Sequence, residues 1–509
     1  MRSRRSPPLK AIDALLVIAS ILVSALVAEV VVRYVDGLPL FAMPLPEGVG
    51  KAVTAEQRDE VPLAAGVSRD WFFDDPPSLP NRTKPPAEWQ RLFVEVRNHP
   101  AKYAPFRPAD IFKAWNSAFA GDDVCKNNFL HRAPGVAYLY DPPDGEPYPR
   151  YRFLPGVTTP TGLVTNQIGW RGPPIIEPRA PNTIRIVFVG ASTTVGAHHL
   201  PFSYPEYIDY WLNLWAKSKK LGLRFEALNA GRESIASQDI VEVVRHEVLP
   251  LRPDLVVYYE GHNQFWLPTV IPALPRDGTI LKPTLRIETP PSWLLAATRF
   301  SALARRIQAV VGYTGSNLDG REWPKPDYKI VMPPRLDEND PDIDDPRLPL
   351  HLNDIVRDLD RMRGDLATVG SELAVSSFVW MVKDGLVLNP IAHKYILEDL
   401  NINEYPLHYH DLVRLAAFQN RVFRNYAKSR HLSFIDVARG MPLDPDLFED
   451  AIHNTAGGVR ERAWVVLQQL VPVIEQHLAS GAWPKPLPKD MPPLPTFAPR
   501  RIAVDCKKP

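Results

Sequence analysis

The chain has 509 residues, and its 59 Lys and Arg residues against 58 Asp and Glu residues leave a formal net charge of +1. Charges this nearly balanced give no extended basic field, so we expect no nucleic-acid partner. The chain holds 55 prolines, about twice the usual share. This composition favours turns, extended segments and linkers, although an apolar content of 45% is enough for a sizeable core.

The beginning of the chain predicts a membrane anchor. The N-terminal basic residues are Arg2, Arg4, Arg5 and Lys10. They precede a mostly apolar run over residues 11–32, which suits one bilayer crossing of roughly 20 residues. Positive charge ahead of the run favours a cytoplasmic N-terminus, with everything after Arg33 on the other side of the membrane. The sequence therefore predicts a single-pass membrane protein whose residues after Arg33 are extracytoplasmic.

Two alternatives to an uncleaved anchor stay open. A secretory signal peptide could be cleaved at Val23-Ser24-Ala25, although the apolar run continues past that site. A buried core helix is disfavoured, because a basic cluster flanks an almost uncharged run. In both exported cases the rest of the protein works outside the cytoplasm.

Residues 34–165 are irregular and rich in proline, which predicts a linker followed by an accessory region that packs against the main domain. Short helices are expected over residues 87–96 and 109–120. The N-terminal units are thus a basic tail at 1–10, an anchor at 11–33 and the accessory region at 34–165.

Strands alternate with helices in the rest of the chain. Strands are predicted over residues 183–190, 225–228, 254–259, 375–382 and 432–437, and helices over residues 204–219, 240–249, 351–368, 411–428 and 456–478. Alternation of this kind is typical of βαβ units and a parallel sheet. We therefore predict an α/β fold with a doubly wound, three-layer, flavodoxin-like sheet. This domain covers 166–480 with a proline-rich insertion at about 265–350, and an extended proline-rich tail follows over 481–509.

Three short motifs follow the first three predicted strands. Gly190-Ala191-Ser192 ends the first strand, Asn229-Ala230-Gly231 ends the second, and Gly261-His262-Asn263 ends the third. In doubly wound sheets the carboxyl ends of the strands form the ligand site. Backbone N–H groups of Ser192 and Gly231 and the side-chain amide of Asn263 could converge there as an oxyanion hole. Taken singly, each motif also suits a helix cap or a turn.

A fourth motif lies just before the last predicted helix. Asp450-Ala451-Ile452-His453 is the only Asp-x-x-His sequence among the thirteen histidines. A spacing of three lets Asp450 orient the imidazole while His453 takes a proton from a serine hydroxyl. An exposed Asp/His pair without function is the alternative.

Together the four motifs resemble the SGNH hydrolases, also called GDSL-type esterases, over about residues 166–478. The resemblance implies Ser192 as nucleophile, Asp450 and His453 as its partners, and an oxyanion hole of Ser192, Gly231 and Asn263. The lead-in Asn-Gln-Ile-Gly-Trp-Arg-Gly at residues 166–172 is similar to that of membrane-anchored bacterial members. With the predicted anchor, the resemblance implies the bacterial inner (cytoplasmic) membrane and a periplasmic catalytic domain. Two departures weaken any inference about substrate: Gly-Ala-Ser replaces the family's Gly-Asp-Ser, and Gly-His-Asn-Gln replaces its Gly-x-Asn-Asp.

The resemblance implies a serine esterase that hydrolyses an O-acyl ester, on a cell-envelope polysaccharide or a lipid. An O-acyltransferase that uses the same triad, and a non-catalytic binding or assembly protein of the same fold, stay open. No phosphate loop, Rossmann fingerprint or His-Glu-x-x-His motif is present, so we predict no cofactor and no metal. Cys125 and Cys506 could form a disulfide outside the cytoplasm or remain two free thiols. The sequence predicts neither the acyl group nor the oligomeric state.

Overall fold

The computed structural model describes residues 11–41, 53, 55–99, 149, 151–274, 293, 297, 300–310, 322–323, 325–389 and 392–496. Within these residues a single five-stranded parallel sheet forms the centre of the protein. Its strands are β1 (Thr183–Gly190), β2 (Arg224–Asn229), β3 (Leu255–Tyr259), β4 (Glu372–Ser376) and β5 (Ser433–Ile435). Their order is β2-β1-β3-β4-β5. This is the flavodoxin-like order, so the predicted fold class is confirmed.

Helices cover both faces of the sheet. The described α-helices are α1 (Ala11–Val35), α2 (Ala55–Asp59), α3 (Ala87–Asn98), α4 (Ser192–Val195), α5 (Tyr204–Ser218), α6 (Ser237–Val243), α7 (Ala302–Val310), α8 (Leu352–Thr368), α9 (Lys394–Glu398), α10 (Tyr409–Ser429), α11 (Val437–Gly440) and α12 (Ala456–Ala479). Helix α5 packs against α12, whereas α6 packs against α8, which also contacts α10. The chain moves along the sheet in one direction from β1 to β2 and in the opposite direction from β2 to β5. Since the crossovers are right-handed, α5 and α12 lie on one face of the sheet, and α6, α8 and α10 lie on the other.

The residues of β1 are buried along its whole length, as expected of a central strand covered on both faces. Pairing with β3 places Gly190 opposite Tyr259. Pairing with β2 places Phe188 opposite Asn229. The carboxyl ends of the first three strands therefore lie side by side.

Two predicted elements differ from those observed by three or more residues at both ends. The strand predicted over residues 375–382 is wrong in its bounds, because β4 is Glu372–Ser376. The apolar residues after Ser376 lie in a buried loop, in which the Met381 N–H donates to the Ala451 carbonyl at 2.6 Å. The helix predicted over residues 240–249 begins earlier, at Ser237, and widens into a π-helical turn over Val244–Val248.

The described part of the accessory region packs on α5 and α12. The ring of Phe72 lies 6.3 Å from that of Trp211 in α5 and 5.5 Å from that of Trp464 in α12. The Trp215 indole N–H donates to the Ala65 carbonyl at 3.0 Å. The helix predicted over residues 109–120 lies outside the described residues.

Helix α1 is apolar along most of its length. Among the described helices, one is both long enough and apolar enough to cross a membrane, and it covers Asp13–Val35. None of its most apolar part is buried in the protein. This agrees with a membrane anchor or a signal sequence.

Candidate active site

Ser192 lies at the carboxyl end of the central strand. Gly190 ends β1, Ala191 makes the turn, and Ser192 is the first residue of the four-residue helix α4. The turn is tight: a Cβ at Gly190 would lie 2.1 Å from the Tyr259 carbonyl oxygen, so only glycine fits. Ser192 itself is 8% exposed. Ser192 is therefore mostly buried, at the start of a short helix that follows β1 directly.

His453 and Asp450 approach Ser192 from the loop that precedes α12. The His453 Nε2 atom lies 2.7 Å from Ser192 Oγ, and His453 Nδ1 lies 2.7 Å from Asp450 Oδ2. The other carboxylate oxygen of Asp450 accepts the backbone N–H groups of Ile452 and His453 at 3.0 and 2.7 Å. The carboxylate is thus held by the same turn that carries the imidazole. A hydroxyl, an imidazole and a carboxylate in this order can transfer a proton away from the hydroxyl.

Two polar side chains to which the sequence analysis assigned no role hold the Ser192 segment. Asn229 donates to the Thr194 carbonyl at 2.9 Å. Buried Arg462, from α12, donates to the Thr193 carbonyl at 2.6 Å. Both contacts satisfy carbonyls of α4 that such a short helix leaves without partners. Asn229 belongs to the second motif, but only the fold could have indicated its contact with α4.

Arg171 holds the loop that follows α4. Its guanidinium donates to four backbone carbonyls, those of Val195, Gly196, Ala197 and Leu200, at 2.7–3.2 Å. It is buried, and its Nε lies 3.4 Å from the Glu206 carboxylate. Burial lowers the pKa of Arg171, although the negative charges of Glu206 and Glu233 act to raise it. Arg171 belongs to the lead-in motif at residues 166–172, so this motif supports the segment that carries Ser192.

The same lead-in is joined to the domain by a buried ionic network. Arg152 Nε donates to Glu247 Oε1 at 2.6 Å, the Trp170 indole donates to Glu247 Oε2 at 2.8 Å, and Arg232 also pairs with Glu247. Burial alone would raise the pKa of Glu247, but the two guanidinium groups lower it below its usual value. Breaking such a network by removing one partner is costly, because a charge is left buried alone.

Gly231 approaches α4 closely. A Cβ at this position would lie 2.5 Å from the Val195 backbone nitrogen and 2.9 Å from Thr194 Cβ. Its backbone N–H donates to Asn229 Oδ1 at 3.0 Å. The structure therefore brings Gly231 against the Ser192 helix, as the motif order predicts. Its role as an oxyanion donor stays a prediction.

Asn263 lies in the turn after β3. Its side-chain amide donates to the Ile235 carbonyl at 2.7 Å, and its backbone N–H donates to the Glu260 carboxylate at 2.8 Å. The amide nitrogen carries two hydrogens, so one remains for another acceptor. The side chain is oriented by Ile235, and its part in an oxyanion hole stays a prediction.

A second charged cluster lies beneath the His453 loop. The Asp399 carboxylate accepts the Ala451 N–H at 3.2 Å, directly beside Asp450. Burial and the charge of Asp450 raise the pKa of Asp399 to about 7. His262 Nε2 lies 3.3 Å from Glu404 Oε1. Burial opposes the charge on His262, but this contact raises its pKa to about 9. The cluster joins the Asn263 turn to the loop that bears Asp450 and His453.

The structure thus brings Ser192, Asp450 and His453 within hydrogen-bond distance. Cys125 and Cys506 lie outside the described residues, and their pairing stays a prediction. Among the described residues, no group of three or more His, Cys, Asp or Glu side chains is placed to hold a metal ion.

The strand order and this site define an α/β protein with a Ser–His–Asp arrangement at the carboxyl end of its sheet. No protein-family model and no curated protein matches the sequence.

Several solved structures are similar to the chain, among them a GDSL-like lipase, the class that the motifs resemble. That lipase, from Bacteroides thetaiotaomicron, is 13% identical; the match covers 59% of this chain and 92% of the lipase, with a TM-score of 0.28. A putative acylhydrolase from Bacteroides fragilis is 14% identical, with 58% and 88% covered and a TM-score of 0.27. An acetylxylan esterase from Geobacillus stearothermophilus is 12% identical, with 57% and 96% covered and a TM-score of 0.31. At these values the likeness assigns no activity to this chain.

Proposed function

We propose that the protein is a membrane-anchored serine hydrolase that cleaves O-acyl esters, with Ser192 as nucleophile, His453 as general base and Asp450 as the carboxylate that orients the base. The observation that carries the proposal is the pair of 2.7 Å contacts, from Ser192 Oγ to His453 Nε2 and from His453 Nδ1 to Asp450 Oδ2. A serine hydroxyl is a weak nucleophile at neutral pH and needs a base at this distance.

The proposed reaction has two halves. Ser192 Oγ attacks the acyl carbonyl carbon while its proton moves to His453 Nε2, and Asp450 stabilises the imidazolium that forms. The tetrahedral intermediate collapses, the alcohol leaves with the proton from His453, and the acyl group remains on Ser192. Water, deprotonated by His453, then attacks the acyl-enzyme, and the second tetrahedral intermediate collapses to release the carboxylic acid while His453 returns the proton to Ser192 Oγ. The N–H groups of Ser192 and Gly231 and the amide of Asn263 are proposed to stabilise the oxyanion in both halves, with the Gly231 N–H shared between the oxyanion and Asn229 Oδ1.

The proposed location limits the substrate. Helix α1 is proposed to cross the bacterial inner membrane once and to leave the domain after Arg33 in the periplasm, because the basic residues precede the apolar run. The acyl ester is then one of the cell envelope, carried by a polysaccharide or a lipid. The proposed units are a cytoplasmic tail (1–10), an anchor (11–33), an accessory region (34–165), a catalytic domain (166–480) and a tail (481–509).

The test uses the full chain in detergent or vesicles and short p-nitrophenyl esters. Ser192→Ala and His453→Ala should each lower kcat by roughly 10⁴–10⁶-fold, and the double variant should lose little more, because the two residues act as one unit. Ser480→Ala and His246→Ala are the matched controls, since Ser480 caps the end of α12 and His246 is partly exposed. Both controls should keep wild-type rates.

Additive losses in the double variant, or a Ser192→Ala variant close to wild type, would contradict the proposed triad. The same preparations should be given an acetylated glycan and an acyl-free glycan acceptor. If acyl transfer to the acceptor is faster than hydrolysis, the protein is a transferase, in which a sugar hydroxyl replaces water.

A further inference from the structure

Helix α7 is part of the insertion, yet it is attached to α1. The Glu29 carboxylate accepts the Ser301 hydroxyl at 2.6 Å and the backbone N–H groups of Ala302 and Leu303 at 2.8 and 2.9 Å. A carboxylate at this place satisfies N–H groups that open the helix and complements its dipole. Glu29 therefore caps α7 from another part of the chain, more than 270 residues away in sequence.

Arg33 completes the attachment. Its Nε donates to Glu29 Oε1 at 2.6 Å, and its Nη2 donates to the Phe300 carbonyl at 2.9 Å. The side chains of Arg33 and Glu29 are only 9% and 18% exposed. Beyond the end of α1, Asp36 pairs with Arg306 in α7. Polar contacts thus join α7 to the last two turns of α1.

These contacts fix the depth of α7 if α1 crosses a bilayer. Glu29 precedes the last residue of α1 by six positions, which is about 9 Å along a helix. A charge is tolerated near the end of a spanning helix but not at its centre. Since Glu29 and Arg33 occupy the zone where α1 leaves the membrane, the segment that they bind lies in the same zone.

The outer face of α7 is apolar. Ile307 and Val310 are 47% and 85% exposed, and Phe300, just before the helix begins, is 74% exposed. Ile307 lies three residues before Val310, so these two side chains share one face of α7. The residues turned inward are small, with Ala302 and Ala304 buried. Exposed aromatic and aliphatic side chains beside arginines are typical of helices that lie in a membrane interface.

We propose that residues 300–310 form an interfacial segment that lies on the membrane leaflet where α1 ends, so that the protein contacts the bilayer at two places. The occupant of the apolar face is the phospholipid surface, because α1 itself brings this face to it. The inference rests on the proposed anchor and not on the proposed chemistry. Two attachments fix the orientation of the domain above the membrane, whereas a single helix leaves it free to rotate.

The test places an environment-sensitive fluorophore on single cysteines. Ile307→Cys and Val310→Cys are made in the full chain with Cys125→Ser and Cys506→Ser, and the protein is inserted into vesicles of phosphatidylcholine and phosphatidylglycerol. Val387→Cys is the matched control, since Val387 is an apolar residue that is 64% exposed in the loop after β4. Spin-labelled lipid should quench labels at 307 and 310 at least about twofold more than the label at 387.

Two outcomes would overturn the proposal. A label at 307 that aqueous iodide quenches as readily as the label at 387 would place α7 in water. A label shielded from both iodide and lipid would mean that protein, such as a second copy of the chain, covers the face. Glu29→Gln should about halve lipid quenching at 307, because a neutral amide caps the helix less well, whereas Asp13→Asn at the other end of α1 should not. Unchanged lipid quenching of the label at 307 in Glu29→Gln would refute the role given to the contact between Glu29 and α7.

A label at Val23→Cys distinguishes failure of the interfacial segment from failure of the proposed anchor. If lipid quenches the label at 23 but not at 307, the anchor stands and the interfacial segment fails. If lipid quenches neither, the anchor fails and the interfacial segment with it. The triad is tested by the Ser192 variants alone and is unaffected in every case.

Discussion

Gly231→Ala tests whether the close approach of the end of β2 to α4 positions Ser192, the proposed nucleophile. The added methyl group would lie 2.5 Å from the Val195 nitrogen and 2.9 Å from both Thr194 Cβ and Thr194 Cγ2. Ordinary contact needs about 3.5 Å, so one side must move by about 1 Å. The atoms it meets include backbone of α4, the helix that carries Ser192, and not the flexible end of a long side chain.

A displacement of this size matters because the contact between Ser192 Oγ and His453 Nε2 is 2.7 Å. Adding 1 Å would take it to about 3.7 Å, beyond hydrogen-bond distance. A misplacement of about 1 Å can cost 10²-fold in rate, which is the expected loss in kcat/KM. Overpacking should also lower the free energy of unfolding by about 1–3 kcal/mol.

The assay compares kcat/KM for a p-nitrophenyl ester with thermal unfolding of the same preparation. Gly364→Ala is the matched control, because Gly364 lies within α8 and a Cβ there would meet nothing within 4 Å. The control should keep its activity and gain up to about 1 kcal/mol of stability from better helix propensity. If folded Gly231→Ala retains kcat/KM within about threefold of wild type, the positioning role given to this contact is wrong.

Two further predictions follow from the site and the core. Asn263→Ala should lower kcat by roughly 10²–10³-fold with little change in stability, the usual loss for one oxyanion donor; an unchanged kcat would exclude Asn263 from the oxyanion hole. Glu461 in α12 is fully buried, neither carboxylate oxygen has a hydrogen-bond partner within the described residues, and burial raises its pKa to about 8. The folded protein therefore keeps a proton that the unfolded chain releases near pH 4.3, so wild-type stability should fall as pH rises between about 4.3 and 8. Glu461→Gln should reduce this fall, by roughly 1–3 kcal/mol in the free energy of unfolding near pH 8, measured by denaturant titration across the range. Parallel pH profiles for variant and wild type would argue against the raised pKa.

The fold was predictable where one physical signal dominated. The short apolar runs that became β1 and β3 ended in glycine motifs, and alternation with helices indicated a parallel sheet. The strand near residue 375 was misplaced because burial on both faces of a strand and burial of a loop give the same apolar pattern. The run from Phe378 to Val382 is buried but lies outside β4: the Phe378 N–H donates to the Asn420 side chain, and the Met381 N–H donates to the Ala451 carbonyl.

The site was predictable as residue types in a given order, since Ser192, Asp450 and His453 each stand at a strand end or before a helix. Their support was not predictable. Arg462 and Asn229 act through backbone carbonyls of α4, 269 and 35 residues away in sequence. Contacts over such distances leave no periodicity or spacing, and an arginine in an amphipathic helix is usually solvated.

Arg171 has a consequence for how the domain can be divided. Four carbonyls of the loop after Ser192 depend on one side chain that precedes the first strand, and Arg152, still earlier, is buried against Glu247. A soluble fragment that begins at β1 would retain every strand of the sheet, together with Asp450 and His453. However, the loop after Ser192 would lose its contacts with Arg171. Glu247 would also lose two of its partners, Arg152 and Trp170. The smallest unit able to hold Ser192 in place therefore begins ahead of Arg152, in a segment whose described residues contribute no strand of the sheet and none of the three proposed triad residues.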